Sequence, residues 1–217
     1  MLELIHTADG STTILNTELN ATYHSKFGAI QESTHIFINN GLKFITKTNI
    51  NVLEIGFGTG LNAMLSLQKA VKENLNVNYS AIEKYPLEKE VFEKLNYFEL
   101  IDIRKEQLDA VLNCEWEKEN IINSNFSITK FKSDANEFNY TQKADVIYYD
   151  AFGPGAAPEM WQSPIFEKLY SILNTGGCII TFCAQGELKR ILKRCGFTIE
   201  SLQGPPGKRE ITRAIKN

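Results

Sequence analysis

The sequence lacks the features that mark membrane-spanning, secreted and metal-binding proteins. No apolar stretch approaches the roughly 20 residues that a membrane-spanning helix needs, and residues 1–6 contain no basic segment of the kind that opens a secretion signal. The four cysteines form no C-x-x-C pair, and the three histidines lie near the N-terminus without the spacing of metal ligands. We therefore expect a cytoplasmic protein with reduced thiols, no bound metal and no contact with a membrane.

The composition is free of extremes. At 217 residues the chain suits one domain, long enough to bury about 70% of the surface that the unfolded chain exposes. Hydrophobic residues make up 43% and charged residues 23%, which are ordinary values for a globular protein. The formal net charge of −3 gives no overall signature of nucleic-acid binding.

The charge is nevertheless unevenly distributed. Residues 186–217 carry eight basic and three acidic side chains, a local charge of +5 on an otherwise acidic protein. Such a region can contact phosphate groups. It can equally be the solvated face of a helix, and the charge alone does not decide between the two.

Residues 52–60 carry the most informative pattern in the chain. An apolar run typical of a buried strand leads directly into three glycines at alternate positions, Gly56, Gly58 and Gly60. A helical pattern then begins at Leu61, so the segment predicts a strand, a tight turn and a helix N-terminus, where backbone can approach a ligand closely. The spacing is G-x-G-x-G rather than the G-x-G-x-x-G of dinucleotide sites, and an acid, Glu54, precedes it. A tight turn without a ligand remains the alternative.

Apolar runs alternate with helical patterns along the chain, which predicts an α/β fold with a mostly parallel seven-stranded sheet and helices on both faces. Strands are predicted at 51–56, 77–83, 127–132, 146–150, 178–182 and 197–202, with a closing strand after Gly207. Helices are predicted at 29–44, 60–73, 158–173 and 187–194 and from Pro86 onward, with a helix and a loop in 99–125. We expect residues 1–45 to form a small extension that packs on the ligand site, and residues 46–217 to form the core.

Three acids stand at the ends of predicted strands, where parallel sheets bind their ligands. Glu83 can accept hydrogen bonds from both hydroxyls of a ribose, unless it pairs with Lys84 in a surface turn. Asp134 can accept from the exocyclic amine of an adenine, with Ala135 leaving room for the ring; alone it is equally a helix cap. Asp150 can draw in an alkylammonium group and take its proton, or it can cap the following loop.

Several segments together resemble the MnmC-type tRNA (5-methylaminomethyl-2-thiouridylate) methyltransferases. They are the stretch from Asp150 to Trp161, the Gly176-Gly177 turn, Gly207 to Glu210, Tyr23 to Ser25, and Glu54 to Asn62. The resemblance implies a Rossmann-like class I S-adenosylmethionine-dependent methyltransferase that methylates the amine of 5-aminomethyl-uridine at the tRNA wobble position. It implies tRNA as the partner, with no stable protein partner. Because no second glycine fingerprint is present, we expect a stand-alone form without a flavin domain.

The resemblance and the strand-end pattern together define the expected site. Asp150 is expected to be the catalytic acid–base residue. The residues expected to bind the cofactor are Tyr23, Ser25, Glu54, Gly56, Phe57, Gly58, Gly60, Asn62, Glu83, Lys84, Asp134, Ala135 and Asp150. Those expected to face the substrate or the tRNA are Phe152, Trp161, Lys208 and Arg209, with the last two near the rim.

Three other functions remain open. A methyltransferase for a small-molecule amine needs the same cofactor site but no tRNA. Polyamine aminopropyltransferases share the sheet, but they resemble one another in having a second acid just after the Asp that ends strand four. This chain has Ala151, Phe152 and Gly153 at those positions. A non-enzymatic adaptor is disfavoured because the glycines and acids are all retained.

Overall fold

The computed structural model describes residues 1–217 and contains two β-sheets. The strands are β1 Leu2–His6, β2 Thr12–Asn16, β3 Ala21–Thr22, β4 Asn49–Ile55, β5 Asn76–Glu83, β6 Glu119–Asn123, β7 Phe126–Lys132, β8 Ala144–Tyr149, β9 Leu173–Thr181, β10 Thr198–Gln203 and β11 Glu210–Ile215. The α-helices are α1 Ala29–Ser33, α2 Leu61–Glu73, α3 Lys89–Phe92, α4 Tyr97–Leu100, α5 Lys105–Asn113, α6 Ser163–Ile172 and α7 Gly186–Arg194. A π-helical turn, Thr34–Asn39, continues α1, and short 3₁₀ turns occupy Leu42–Phe44 and Pro158–Trp161.

The large sheet has eight strands in the order β10-β11-β9-β8-β4-β5-β7-β6. The five strands from β9 to β7 are parallel, whereas β11, β10 and β6 run antiparallel to their neighbours. β11, the strand nearest the C-terminus, therefore lies inside the sheet between β10 and β9. This order places the C-terminal ends of β8, β4, β5 and β7 side by side at one edge.

Helices cover both faces of this sheet because its central strands are apolar on both sides. Every residue of β8 is buried. Its alternate side chains enter different cores: Tyr148 packs with α2 and α5 on one face, while Ile147 and Tyr149 pack with α6 and α7 on the other. The predicted fold class is therefore confirmed. None of the helices combines the length and apolar character that crossing a membrane requires.

The first three strands form a separate antiparallel sheet in the order β1-β2-β3. Ile14 of β2 is buried in the main core, and Asn96 also holds this sheet: its Oδ1 accepts from the Thr12 N–H at 2.9 Å and its Nδ2 donates to the Gly10 carbonyl at 2.8 Å. Residues 16–25 consequently lie over the C-terminal edge of the large sheet, although the boundary at residue 45 remains a prediction.

Two local predictions differ from the structure. The large sheet has eight strands rather than seven, because part of 99–125 forms the edge strand β6, which pairs only with β7. No helix begins at Pro86; the chain stays extended through Glu88, and the four-residue helix α3 begins at Lys89. The strand count alters the sheet only at its margin, away from the strand ends that carry the predicted acids.

Candidate active site

A cavity of about 630 Å³ opens at the C-terminal ends of β4, β5, β7 and β8, a volume typical of small-ligand sites. Residues 16–25, which we call the N-terminal segment, cover this cavity. Of the residues predicted from the sequence, the cavity brings together Tyr23, Ser25, Gly56, Gly58, Glu83, Lys84, Asp134, Ala135, Asp150, Phe152 and Lys208. Six predicted residues do not line it: Glu54, Phe57, Gly60, Asn62, Trp161 and Arg209. No group of three or more potential metal ligands is present.

Glu83 has two roles at the end of β5. Its Oε2 accepts a hydrogen bond from the Gly58 N–H at 3.0 Å, and its Oε1 accepts from the Tyr85 N–H at 2.8 Å. The carboxylate thus holds the glycine loop in place while it lines the cavity. Each oxygen keeps lone-pair capacity for a further donor.

The glycines of the loop are required for different reasons. A Cβ on Gly56 would lie 2.8 Å from the Asp150 carbonyl oxygen, and one on Gly60 would lie 2.6 Å from Leu112 Cδ2 and 2.9 Å from Phe57 Cζ. Packing within the protein therefore demands these two, and Phe57 belongs to the core rather than to the ligand wall. Only Gly58 faces the cavity without such contacts, with a Cβ position 3.0 Å from the Tyr23 ring.

A buried hydrogen-bond network lies beneath the loop. The Asn62 Nδ2 donates to Glu54 Oε1 and to Asp150 Oδ2, both at 2.8 Å. Glu54 is fully buried, and burial raises its pKa well above the usual range, which favours the protonated form of the carboxyl group. The Glu54 and Asn62 side chains thus support Asp150 from behind, and their contacts with the cofactor remain predictions.

Asp150 stands where β8 ends, at the floor of the cavity. Burial raises its pKa to about 7, the hydrogen bond from Asn62 and the charge of Lys208 oppose that rise, and the charge of Glu32 adds to it. Asp150 Oδ2 is held by Asn62, whereas Oδ1 makes no hydrogen bond within the chain. The site therefore contains a fixed carboxyl group that exchanges a proton near neutral pH.

Glu32 and Lys208 join the two ends of the chain beside this carboxyl group. Lys208 Nζ lies 2.5 Å from Glu32 Oε1, and Glu32 Oε2 accepts from the Ser25 N–H at 2.7 Å. Lys208 is therefore corrected from an open rim position to a partly buried ion pair in the cavity wall. Sequence analysis assigns no role to Glu32 in the site, because its partner is 176 positions away.

A neutral histidine connects the N-terminal segment to the glycine loop. His24 lies at the cavity wall and its Nε2 is 2.7 Å from Thr59 Oγ1. Burial is the main cause that lowers its pKa to about 4, so the ring is uncharged at neutral pH. His24 thus fixes Tyr23 and Ser25 against the loop without adding charge to the cavity.

The opposite end of the cavity is closed by an ion pair. Lys84 Nζ lies 2.8 Å from Asp134 Oδ2, and the Asn136 N–H donates to Asp134 Oδ1 at 2.9 Å. The pairing with Lys84 is the main cause that lowers the pKa of Asp134. Asp134 is thus a charged acceptor that already has two partners.

Aromatic rings shape the space above Asp150. Tyr23 and Phe152 meet edge to face with ring centroids 5.0 Å apart, and Phe182 lines the same end. Trp161 lies behind this wall, where its Nε1 donates to the Phe152 carbonyl at 2.8 Å. Trp161 thus supports Phe152, and its contact with the substrate remains a prediction.

The structure also explains most of the basic C-terminal region. Six of its eight basic side chains are engaged within the chain: Lys189 with Glu210, Arg190 and Arg194 with Glu187, Lys208 with Glu32, Arg213 with Glu200, and Lys216 with carbonyls of residues 170 and 173. Only Lys193 and Arg209 have no acidic or carbonyl partner. Most of these side chains are thus held by contacts within the chain, although the local excess of positive charge remains, and Arg209 lies exposed outside the cavity.

Comparisons with known proteins agree with this geometry. The family described as S-adenosyl-L-methionine-dependent methyltransferase matches residues 80–217, more than half of the chain. The tRNA 5-methylaminomethyl-2-thiouridine biosynthesis bifunctional protein MnmC of Leptospira interrogans is 28% identical over 215 residues, covering 92% of this chain and 33% of that protein. The chain thus spans about a third of the length of the curated relatives it matches.

Solved structures give the same result. The structure of MNMC2 from Aquifex aeolicus is similar over 100% of this chain and 70% of that one, with a TM-score of 0.82 and 25% identity. Spermidine synthase from Thermotoga maritima shares the fold at 13% identity and a TM-score of 0.59, covering 100% and 80% of the two chains. The resemblance to MnmC-type enzymes is thereby confirmed, and the chain belongs to the S-adenosyl-L-methionine-dependent methyltransferases.

Proposed function

We propose that this enzyme methylates the exocyclic amine of 5-aminomethyl-(2-thio)uridine at the tRNA wobble position, giving 5-methylaminomethyl-(2-thio)uridine. The observation that carries the proposal is the position of Asp150, a buried carboxyl group between the strand-end acids and an aromatic wall. The similarity to MnmC proteins supports the choice of substrate. The chain corresponds to only part of those relatives, so the substrate is inferred for this chain.

The residues of the cavity fit S-adenosylmethionine, which supplies an electrophilic methyl group on a sulfonium sulfur. Glu83 retains acceptor capacity for the ribose hydroxyls, while the Asp134 carboxylate would accept from the adenine amine as well as from Lys84. Gly58 lines the cavity together with Tyr23 and Ser25, where a side chain at position 58 would meet the Tyr23 ring, so its backbone is available to the methionine portion. The donor and acceptor chemistry of the wall therefore matches this molecule along its length.

Asp150 would prepare the nucleophile. An alkylammonium group has no lone pair, so a proton must leave it before or during methyl transfer. Because the pKa of Asp150 is raised to about 7, its carboxylate is a stronger proton acceptor than an ordinary aspartate and still ionises at cellular pH. Asn62 fixes Oδ2, and Oδ1 remains free to accept the hydrogen bond that aims the amine.

The aromatic wall would hold the modified base. Tyr23, Phe152 and Phe182 present ring edges and faces on which a flat pyrimidine can pack. A base inside a folded anticodon loop must leave the stack to reach Asp150, as in other enzymes that act on nucleobases. The wall therefore favours a nucleobase over a flexible aliphatic amine.

The test is a methyl-transfer assay with labelled S-adenosylmethionine and tRNA that carries 5-aminomethyl-uridine. We expect the label in 5-methylaminomethyl-uridine after digestion to nucleosides, and none in tRNA that lacks the aminomethyl group. Putrescine and other small amines serve as competing acceptors in the same assay. Transfer to these amines in preference to tRNA would contradict the proposal.

A further inference from the structure

Two exposed aromatic side chains stand out on the surface. The chain has 13 Phe, 8 Tyr and 2 Trp residues, yet only Phe27 and Tyr85 are largely exposed, at 58% and 72%. Both lie at the cavity mouth: Tyr85 lines it, and Phe27 follows the lining residue Ser25 by two positions. Exposed aromatic rings beside a binding cavity are candidates for contact with a partner.

The Phe27 ring is held in place although one side of it is open. The Ser25 Oγ accepts from the Phe27 N–H at 3.1 Å, and the ring packs so closely on Gly207 that a Cβ there would lie 2.2 Å from Phe27 Cδ2. The ion pair of Lys208 with Glu32 ties the two segments together. The exposed face is thus a pre-positioned platform, which reduces the entropy lost on stacking.

Two free cations flank this platform. Lys26 precedes Phe27, and Arg209 follows Gly207 by two positions; both side chains are exposed and form no ion pair or hydrogen bond within the chain. Tyr85 differs, because its neighbour Lys84 is bonded to Asp134. The surface around Phe27 therefore offers two unpaired cations to a polyanion, whereas the one acid beside it, Asp9, is already bonded to the Gln31 N–H.

We propose that Phe27 stacks on a nucleobase adjacent to the methylated uridine, while Lys26 and Arg209 contact the flanking phosphates. The inference rests on the proposed function, since it requires an RNA substrate. Extrusion of one base into the cavity leaves its neighbour without a stacking partner. A ring with cations on either side replaces that lost stacking without reading the sequence.

The stacking component is tested by the binding of unmodified tRNA transcript, measured by fluorescence anisotropy. Base–aromatic stacking predicts that Phe27→Ala and Phe27→Leu weaken binding by about 5- to 150-fold. Phe27→Tyr keeps the ring and should stay within about 3-fold of wild type. Ile121→Ala, at an 80% exposed apolar side chain on edge strand β6, is the control and should not change binding.

The electrostatic component is tested by the salt dependence of the same binding. The double variant Lys26→Ala/Arg209→Ala should reduce the slope of log K against log salt by about 1.4, the value for two phosphates of a single strand. Lys43→Ala/Lys193→Ala removes two exposed, unpaired cations from segments that do not line the cavity, and should leave the slope unchanged.

The outcomes separate this surface from the proposed function. The wild type could methylate aminomethyl-tRNA while Phe27→Ala binds the transcript as tightly as Ile121→Ala does. The stacking of Phe27 on a nucleobase would then be contradicted, and the proposed function would stand. An unchanged salt slope in the Lys26/Arg209 variant would likewise remove the phosphate contacts. If wild type neither methylates nor binds tRNA, the proposed function and the platform fail together.

Discussion

The Asp150 carboxyl group determines how catalysis should depend on pH. Asp150→Asn retains size and an acceptor but loses the charge that draws in the ammonium and takes its proton. We expect the rate constant to fall by about 10²- to 10⁴-fold at neutral pH, with cofactor affinity nearly unchanged. The defect should shrink as pH rises and the free amine becomes abundant. A pH–rate profile tests this, and a defect independent of pH would reduce Asp150 to positioning.

The same substitution should stabilise the fold in alkaline solution. Because the pKa of Asp150 is raised to about 7 in the folded protein from 3.8 unfolded, the native state binds the proton more tightly. The free energy of unfolding of the wild type therefore falls as the pH rises from about 4 to above 7. Asn does not titrate, so the variant does not lose this free energy. We expect the free energy of unfolding of Asp150→Asn to exceed that of the wild type by on the order of 1–4 kcal/mol at pH 8, and by little at pH 4. Denaturant titrations at both pH values measure it.

Substitutions of Glu54 distinguish a direct contact with the cofactor from support of Asp150 within the protein. Because Glu54 is buried outside the cavity and burial raises its pKa, Glu54→Gln should leave affinity for S-adenosylmethionine within about twofold of wild type. Glu54→Ala removes the acceptor for Asn62 and leaves a cavity, so it should cost roughly 2–4 kcal/mol of stability. Calorimetric titration checks the first expectation. A large loss of affinity in Glu54→Gln would restore a direct charged contact with the cofactor.

The loop between β10 and β11 influences Asp150 through the ion pair of Lys208 with Glu32 on helix α1. Lys208 lowers the pKa of Asp150 and Glu32 raises it, so their removal should act in opposite directions. Lys208→Met should move the acidic limb of the pH–rate profile to higher pH, whereas Glu32→Gln should move it to lower pH. Lys193→Met on α7 is a matched control and should leave the profile in place. Shifts of the same sign in both variants would show only a disturbed loop.

The sequence predicted the central elements well because burial leaves a strong local signal. β4, β5 and β8 are long apolar runs, and their predicted bounds differ from the observed ones by one or two residues. β6 was missed because its sequence, Glu-Asn-Ile-Ile-Asn, is short and polar at its ends, with Ile121 exposed on the sheet edge. Pairing with β7, which no local pattern encodes, makes it a strand.

The candidate site divides in the same way. Acids at strand ends were predictable, since topology brings the ends of parallel strands together. The side chains that face the cavity were not predictable. Glu54 and Asn62 flank the glycine loop in sequence, yet they point behind it. The contact of Glu32 with Lys208 joins residues 176 positions apart, so only the folded chain reveals it.

Across the molecule, the cavity joins the N-terminal segment to the large sheet. Ligand binding should therefore stabilise both parts together. At a concentration 100 times its dissociation constant, S-adenosylmethionine should add about 2.7 kcal/mol to the free energy of unfolding. This corresponds to a rise in Tm of about 5–10 °C for a chain of this size. Hydrogen exchange should slow in residues 16–25 as well as in 56–60. Protection confined to 56–60 would mean that the N-terminal segment takes no part in binding.

The interior position of β11 has a consequence for synthesis. The ribosome makes β9 and β10 before β11, yet β11 lies between them. Until residues 210–215 emerge, the nascent chain carries an unpaired edge on β9, including the buried residues from Cys178 to Thr181, and such edges invite association with other chains. Lys208 emerges just before this strand, so a partly made chain has neither a closed sheet nor a complete cavity. We expect the large sheet and the cavity to be completed only when β11 has paired with β9.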